Sequence, residues 1–549
     1  MAPSDPTADI LARIAAAARL GDRTRAEGLA VAAFRQGVRP PLVVGLVAEG
    51  LVERGRQSEA LALLRQATDS AGDDRGWGAI RLQMGRLLLA LDRREAARVA
   101  LARGLEALPD DYRGLIDAGT ATLRLGDLAA AADYFRRAAV VAPELAEPLS
   151  ALAVVASLEG DAAAARNAAD RALALDPQLV SARIAIARAD ALDGDRPAVL
   201  ERTGELLQRS DLSEAQRVDL HDLRADCLDT LDRTAEAFAD YLARNQAAQR
   251  LHGRTVFRSE VERPGDRAVR LRAWFAASSS DDWRPVAGPD TAGEGHASRH
   301  VFLVGFPRSG TTLLEKVLAS HPQIVTLEEV DILGAVGESF LADAAGLRRL
   351  SALTPPEAAA ARGEYWRGVR AALGAFPRDR ILVDKLPLHT PALPVIAALF
   401  PDARVIFALR DPRDVVLSCF RRRFRINAAM FEFLTLEGAA RYYDTVMALA
   451  ALYRERLPLP VCEVRHEALV ADFDVVVRHV LDFIGAAWDP RVREFTGQVR
   501  GVPRTPSAPQ VARGLNADGV GQWRRYGVQL EPVRAVLAPW VERFGYQPG

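Results

Sequence analysis

The stretch VFLVGFPRSGTT, residues 301–312, determines how the second half of this chain is expected to fold. Its first four residues are apolar and predict a buried strand, and an apolar helical pattern follows the stretch. The loop between them carries glycines at positions 305 and 310, the spacing of a phosphate-binding loop. In such a loop, backbone N–H groups and the N-terminus of the next helix face an anion. The sequence therefore predicts a strand, loop and helix that bind a phosphate group.

This loop departs from the ATP- and GTP-hydrolysing pattern at one position. Thr311 follows the second glycine, where those loops carry a lysine, and Arg308 lies inside the loop instead. The loop therefore suits a nucleotide anion without the usual lysine and Mg²⁺ arrangement. A phosphotransferase remains an alternative interpretation, and the residue at position 311 disfavours it.

Strand and helix patterns alternate from about residue 300 to the end of the chain. The candidate strands are Val301–Val304, Ile381–Val383, Val405–Leu409 and Val461–Val464. This alternation predicts an α/β domain with a parallel sheet and helices on both faces. Ligands of such sheets bind beyond the carboxyl ends of the strands. Polar residues just after each predicted strand are therefore the candidates for ligand binding.

Two further strand ends carry suitable residues. Lys385 follows the second predicted strand, and Arg410 follows the third. Asp411 is a good N-cap and is followed by proline, so a helix is expected to start there. Ser418 and Arg422 are four residues apart and are expected on one face of that helix. Together with Arg410, they could converge on one phosphate.

The first half of the chain is a repeat array. Glycine followed by aspartate recurs at positions 126, 160 and 194, and proline recurs at 109, 143 and 177, both with a period of 34 residues. A helix–turn–helix unit of this length resembles the tetratricopeptide repeat. We predict about seven units over residues 1–250, forming an all-α solenoid. The solenoid would offer a groove for a peptide or protein, or would only support the second domain or a homodimer.

Residues 251–299 are expected to link the two domains, which leaves residues 300–549 for the second. The linker is rich in Ser, Asp, Gly and Pro, with a short helix expected around residues 269–275.

Composition excludes several classes of partner. The net charge of the 549 residues is −1, so no overall field attracts nucleic acid. No apolar run approaches the roughly 20 residues that span a membrane, and the first residues do not resemble a signal peptide. We therefore expect a cytoplasmic protein. Three dispersed cysteines, and histidines without ligand spacing, predict no metal site.

From about residue 300 onward, these motifs resemble the sulfotransferases that use 3′-phosphoadenosine-5′-phosphosulfate (PAPS), especially the tyrosylprotein sulfotransferase-like branch. The resemblance covers roughly residues 300–549, and many bacterial members of the family join tetratricopeptide repeats to this domain. It implies PAPS as sulfuryl donor and no metal. The 5′-phosphosulfate would be held by Arg308, Ser309, Gly310, Thr311 and Thr312, and the 3′-phosphate by Arg410, Ser418 and Arg422.

The same resemblance implies three catalytic residues. Glu329 falls where the family keeps its general base, with the adjacent Glu328 as the alternative. Lys385 and Ser507 match residues that stabilise the transferring group and the leaving oxygen. The acceptor would be a hydroxyl group on a protein, peptide, carbohydrate, lipid or small molecule. The remaining alternative is a repeat-based adaptor whose nucleotide-binding domain is not catalytic.

Two positions depart from the family pattern. His466 stands where the protein-tyrosine branch has a cofactor-contacting tyrosine, and it remains a candidate contact. Gln522 stands where a basic residue is expected, just before a tryptophan. That charge could come instead from Arg513, Arg524 or Arg525. These departures weaken the assignment of protein tyrosine as acceptor.

Overall fold

The computed structural model describes residues 6–72, 74–91, 93–257, 262–279, 283, 297, 299–374, 379–498, 511 and 514–548. The chain forms two compact units, Met1–Gln208 and Arg209–Gly549. The repeat array predicted from the sequence ends at residue 250. Its last helix pair therefore lies in the second unit and not in the first. In the described part of the chain, no helix is both long and apolar enough to cross a membrane.

The first unit is an all-α array of the predicted tetratricopeptide kind. Consecutive helices pack against each other as pairs, and a short 3₁₀ turn at Arg75–Trp77 precedes the third pair. The helices are α1 (Pro6–Arg19), α2 (Arg23–Arg35), α3 (Pro41–Glu53), α4 (Gln57–Ala71), α5 (Gly78–Ala90), α6 (Arg94–Ala107), α7 (Tyr112–Leu125), α8 (Leu128–Val141), α9 (Ala146–Glu159), α10 (Ala162–Leu175), α11 (Val180–Asp193) and α12 (Arg196–Leu207).

The recurring Gly-Asp pair forms the turn inside a repeat. Gly126 ends α7 with a φ of 85°, a left-handed conformation that glycine adopts without strain. Asp127 then caps α8 by accepting a hydrogen bond of 3.0 Å from the Ala130 N–H. The same arrangement recurs at positions 160–161 and 194–195. The period seen in the sequence is therefore a period of helix stops and starts.

Phe135 on α8 should be a major contributor to the stability of this array. It is 2% exposed, and a Cβ added at Gly119 on α7 would lie 2.4 Å from its ring. We expect Phe135→Ala to lower the free energy of unfolding by about 3–5 kcal/mol, because a large cavity would remain. Urea unfolding followed by circular dichroism measures this. Val140→Ala on the same helix, at an 81% exposed position, should change it by less than about 0.5 kcal/mol.

The second unit begins with two long helices and continues into the predicted α/β domain. Its helices are α13 (Glu214–Thr230), α14 (Thr234–Phe257), α15 (Pro264–Ala277), α16 (Thr311–Ala319), α17 (Ile332–Leu341), α18 (Ala344–Ser351), α19 (Pro355–Leu373), α20 (Leu393–Leu399), α21 (Pro412–Arg421), α22 (Ala428–Phe431), α23 (Leu436–Arg456), α24 (His466–Ala471), α25 (Phe473–Ile484) and α26 (Gly527–Arg543). Its strands are β1 (Arg299–Gly305), β2 (Ile324–Glu328), β3 (Ile381–Lys385), β4 (Arg404–Leu409) and β5 (Val461–Arg465).

The described strands form one parallel sheet in the order β2-β3-β1-β4-β5. The four predicted strands are confirmed, and β2 was not predicted. The helix expected around residues 269–275 is α15, which is longer than expected. The crossover order brings the ends of β1, β3 and β4 side by side, so the residues that follow them share one edge. Glu328 at the end of β2 is in register with Lys385 at the end of β3.

Candidate active site

The phosphate loop is shaped by two glycines. Gly305 has a φ of 152°, and a Cβ there would lie 2.6 Å from the Ala408 carbonyl oxygen on β4. Only glycine therefore lets the loop leave β1 so close to its neighbour. Thr390 fixes this exit, because its hydroxyl donates to the Gly305 carbonyl at 2.7 Å. Gly310, with a φ of 94°, then starts α16. The predicted strand, loop and helix are all present.

Arg308 is strained and buried in the middle of this loop. Its φ of 72° is left-handed, which a non-glycine residue adopts only where its surroundings hold it. The side chain is 7% exposed, and its Nε donates to the Ser418 Oγ at 2.9 Å. Arg410 donates to the Arg308 carbonyl oxygen at 3.0 Å. The loop and α21 are thereby joined through residues predicted to bind the two phosphates.

The start of α21 is as the sequence predicts. Asp411 caps the helix by accepting a hydrogen bond of 3.0 Å from the Arg413 N–H, and Pro412 occupies the first turn. Ser418 lies on the helix, whereas Arg422 is the first residue after its last turn, with extended backbone angles. The helix therefore presents both residues at its carboxyl end.

Arg308, Arg410, Ser418 and Arg422 line one cavity of about 330 Å³. The Arg410 Nε is buried and has no hydrogen-bond partner among the described residues. The Arg422 guanidinium makes no ion pair with any described residue. A buried donor is rarely left unsatisfied, so the Arg410 guanidinium, together with that of the partly exposed Arg422, fits an anionic ligand. The donor set suits a phosphate group such as the 3′-phosphate of PAPS.

Four arginines and four aspartates line this cavity, and the arginine charges act on one another. Burial and the neighbouring guanidinium groups of Arg422 and Arg410 lower the pKa of Arg308. The same two causes, burial and the charges of Arg410 and Arg308, lower the pKa of His466 to about 3, so that its ring is neutral at physiological pH. His466 lies against the loop, because a Cβ at Gly310 would be 2.7 Å from its Nδ1. An anion would relieve the repulsion among these arginines.

Gln522 lines the same cavity. Two of the arginines that could supply the basic charge missing at position 522 lie in the described part of the chain. Arg525 donates to the Asp229 carboxylate at 3.0 Å, so its charge is already paired. Arg524 lies over the Trp523 ring, 4.8 Å from its centre, and does not line the cavity. Arg513 and the predicted catalytic Ser507 lie outside the described residues.

A lysine–carboxylate pair lies at the neighbouring strand ends. The Lys385 side chain is fully buried, and its Nζ donates to the Glu329 Oε1 at 2.7 Å. Glu329 has a φ of 51°, and its backbone N–H donates to the Lys385 carbonyl oxygen at 2.9 Å. A left-handed glutamate is held here by its partner strand. Because the nearest helix cap is Asp331, Glu329 is not a helix-start carboxylate.

The two adjacent glutamates have different partners. The Glu328 Oε2 accepts a hydrogen bond of 2.9 Å from the Nζ of Lys316, the only other lysine in the chain. The Glu328 side chain is 17% exposed, compared with 34% for that of Glu329. Glu329 is therefore paired with Lys385, and it is more accessible than Glu328.

Sequence reasoning missed a third carboxylate in this region. Glu315 on α16 is fully buried, and its Oε2 lies 4.0 Å from the Lys385 Nζ. Thr326 on β2 donates to its Oε1 at 2.8 Å. Burial raises the pKa of Glu315, and the Lys385 charge opposes that effect. Both lysines of the chain thus share this carboxylate. Their scarcity was the signal that could have drawn attention to it.

Removing the Ser418 hydroxyl should weaken anion binding without impairing the fold. The hydroxyl accepts from Arg308 and faces the cavity, so Ser418→Ala loses one contact to a charged group. We expect a loss of about three- to tenfold in affinity for 3′-phosphoadenosine-5′-phosphate (PAP), measured by calorimetry. The thermal midpoint of the ligand-free protein should be unchanged. Equal PAP affinity in both proteins would mean that the phosphate lies elsewhere.

Fold and site together define an α/β domain with an arginine-lined cavity beside a lysine–glutamate pair. Residues 300–490 match the model of a family described as the sulfotransferase family. A protein-tyrosine sulfotransferase 1 of Danio rerio is 26% identical over 270 residues, which are 45% of this chain and 72% of that protein. The protein-tyrosine sulfotransferase of Drosophila melanogaster is 26% identical over 262 residues, 45% of this chain and 52% of that one. This part of the chain is a sulfotransferase-family domain, as predicted.

Two further similarities complete the comparison. An uncharacterized protein of Aquifex aeolicus is 28% identical over 256 residues. The match takes in 45% of this chain but spans only about a third (33%) of the Aquifex protein's length. A tetratricopeptide repeat protein of Parabacteroides merdae covers 44% of this chain and 92% of its own, at 15% identity and a TM-score of 0.36.

Proposed function

We propose that this protein transfers a sulfuryl group from PAPS to an acceptor hydroxyl. One observation carries the proposal. The residues predicted to bind the donor phosphates, Arg308, Arg410, Ser418 and Arg422, line a single cavity of a sulfotransferase-family domain that also holds a buried lysine paired with a glutamate. The Glu329 charge is close enough to Arg308 to oppose the lowering of its pKa. The anion site and the pair are therefore electrostatic neighbours.

In this proposal the donor is held at both ends. The loop N–H groups and the N-terminus of α16 bind the 5′-phosphosulfate through residues 308–312. Arg410, Ser418 and Arg422 bind the 3′-phosphate, which gives the site its preference for this nucleotide. The neutral His466 contacts the donor beside Gly310. No metal is needed, because the arginines provide the positive charge.

The chemical step is assigned to the pair formed by Lys385 and Glu329. Glu329 accepts the proton of the acceptor hydroxyl as its oxygen bonds to sulfur. Lys385 stabilises the charge that develops on the phosphate oxygen when its bond to sulfur breaks, and Ser507 assists there. In the resting state the Lys385 Nζ donates to the Glu329 Oε1, which holds the carboxylate at this edge of the sheet.

We propose a protein or peptide as the acceptor. The support is that two of the relatives reported above are named protein-tyrosine sulfotransferases and that a repeat array precedes the domain. The repeats, predicted over residues 1–250, would hold the polypeptide while one hydroxyl enters the site. Which hydroxyl is used is left to experiment, because His466 and Gln522 depart from the protein-tyrosine pattern.

Transfer can be tested with PAPS labelled with sulfur-35 and a pool of peptides that contain tyrosine, serine and threonine. We expect label in a peptide fraction and release of one PAP per sulfuryl group transferred. The Glu329→Gln protein serves as the control and should give neither. PAP binding without any peptide labelling would contradict a peptide acceptor and direct the search to carbohydrate, lipid or small-molecule alcohols.

A further inference from the structure

The helix pair α13–α14 contacts the carboxyl end of α21 through buried polar groups. Arg244 on α14 is 2% exposed and donates at 2.8 Å to the carbonyl oxygens of both Phe420 and Arg421. Asn245 donates to the Phe420 carbonyl at 3.1 Å. The last carbonyls of a helix have no partner within the helix, so these donors complete its final turn. Arg422 is the very next residue.

Arg244 is itself held in place from two sides. Its guanidinium donates at 2.6 Å to the Asp222 carboxylate on α13 and at 2.9 Å to the Asn245 side-chain oxygen. Phe238 on α14 stacks on Phe420, with ring centres 5.0 Å apart. The end of α21 is therefore fixed by a rigid, charge-assisted contact rather than by its own helix alone.

The same helix pair adds acidic groups to the phosphate cavity. Asp226 and Asp229 near the end of α13 line it together with the arginines. The Asp229 carboxylate accepts from Arg525 and from the Tyr526 hydroxyl, at 3.0 and 2.6 Å. Asp226 accepts from the buried Tyr241 hydroxyl at 2.7 Å but forms no ion pair with a described residue. Its charge is therefore the less compensated of the two.

The charges that act on Asp226 are those expected for a residue that lines the cavity. Desolvation within the cavity and the nearby Asp222 carboxylate raise the pKa of Asp226, although the residue as a whole is exposed, whereas the charge of Arg422 lowers it. Asp226 and Arg422 thus act on each other across the cavity. A phosphate held by Arg422 would experience the same carboxylate as a repulsive neighbour.

We propose that the helix pair α13–α14 is a working part of the 3′-phosphate site. Arg244 positions Arg422 by setting where α21 ends, and Asp226 limits the affinity for the phosphate by repulsion. The inference rests on the proposed function. It also means that the donor site is incomplete without a segment that the repeat pattern assigns to the array.

Calorimetric titration of the full chain at pH 8.5 tests both assignments, with PAP and adenosine 5′-phosphate as probes. These nucleotides differ only by the 3′-phosphate, so the ratio of their affinities reports on that phosphate alone. Arg244→Met should lower PAP affinity about tenfold and leave adenosine 5′-phosphate affinity nearly unchanged. Asp226→Asn keeps the acceptor for Tyr241, and it should raise PAP affinity about fivefold.

Matched controls lie on the same two helices. Arg250→Met removes an exposed arginine of α14 that pairs with Glu214 at 2.9 Å. Asp219→Asn removes a carboxylate of α13 that pairs with Arg423 and does not line the cavity. Neither control should change the affinity ratio.

The outcomes separate the inference from the proposed function. PAP binding by the unsubstituted protein, with opposite changes in the two variants, supports both. PAP binding with an unchanged ratio in Asp226→Asn overturns the inference and leaves the function standing. If Arg244→Met fails to fold, Asp226→Asn still decides, because a purely structural aspartate would not yield a gain in affinity. No PAP binding by the unsubstituted protein overturns both.

Discussion

Glu329→Gln is expected to lower turnover by about two to four orders of magnitude while PAP binding stays intact. The amide keeps the shape of the side chain and can still accept the hydrogen bond from Lys385, but it cannot take a proton from the acceptor. The effect should therefore appear in kcat and not in the KM for PAPS. Steady-state kinetics with labelled PAPS measures both constants.

Glu328→Gln provides the matched control for this prediction. Glu328 adjoins the proposed base, yet its carboxylate is paired with Lys316 and not with Lys385. Its loss should cost some stability and change kcat by less than about tenfold. The reverse pattern, with Glu328→Gln inactive and Glu329→Gln active, would show that the neighbouring carboxylate is the base.

Lys385→Met should lower kcat by about two to three orders of magnitude, the usual effect of removing a donor that stabilises charge in the transition state. Methionine fills similar space, so the packing around this fully buried side chain is largely kept. PAP affinity should change little, because the pocket arginines remain. The free energy of unfolding should fall by about 1–3 kcal/mol, since the buried Glu315 carboxylate loses a neighbouring charge.

The only other lysine of the chain is the control for this substitution. Lys316 belongs to the same cluster and lies 3.4 Å from Glu315, but its main partner is Glu328. Lys316→Met should therefore lose comparable stability and keep most of its activity. Equal losses of kcat in the two lysine variants would mean that the whole cluster, and not Lys385 itself, supports the reaction.

The features predicted well from sequence are local ones. The phosphate loop is signalled by the two glycines at 305 and 310, and the start of α21 by Asp411 with Pro412. In each case the residues that set the backbone are adjacent in the chain. The sulfotransferase-family domain is also confirmed, by the family match and by the sheet. It could be predicted because its motifs follow consecutive strand ends. The roles assigned to individual site residues remain predictions.

The features missed depend on contacts between distant segments. The strand β2 is no shorter than β3 or β5, and it is identified by its pairing with a distant partner, since Ile324 lies opposite Ile381 of β3. Glu315 lies on the helix that follows β1, and it meets Lys385 because β1 and β3 are neighbours in the sheet. The contact of Arg244 with Phe420 joins residues 176 positions apart, and no local pattern announces it. Arg422 was expected within the helix, whereas it lies just after the last residue of α21.

Thermal unfolding of the purified protein with PAP and, separately, with ATP and Mg²⁺ decides which nucleotide the protein binds. At about 100 times its dissociation constant, a specific ligand adds about 2.7 kcal/mol of stability. We predict this stabilisation with PAP, its loss in Arg410→Ala, and little response to ATP. Stabilisation by ATP and Mg²⁺ alone would contradict the account in favour of a phosphotransferase, and no response to either nucleotide would favour an adaptor.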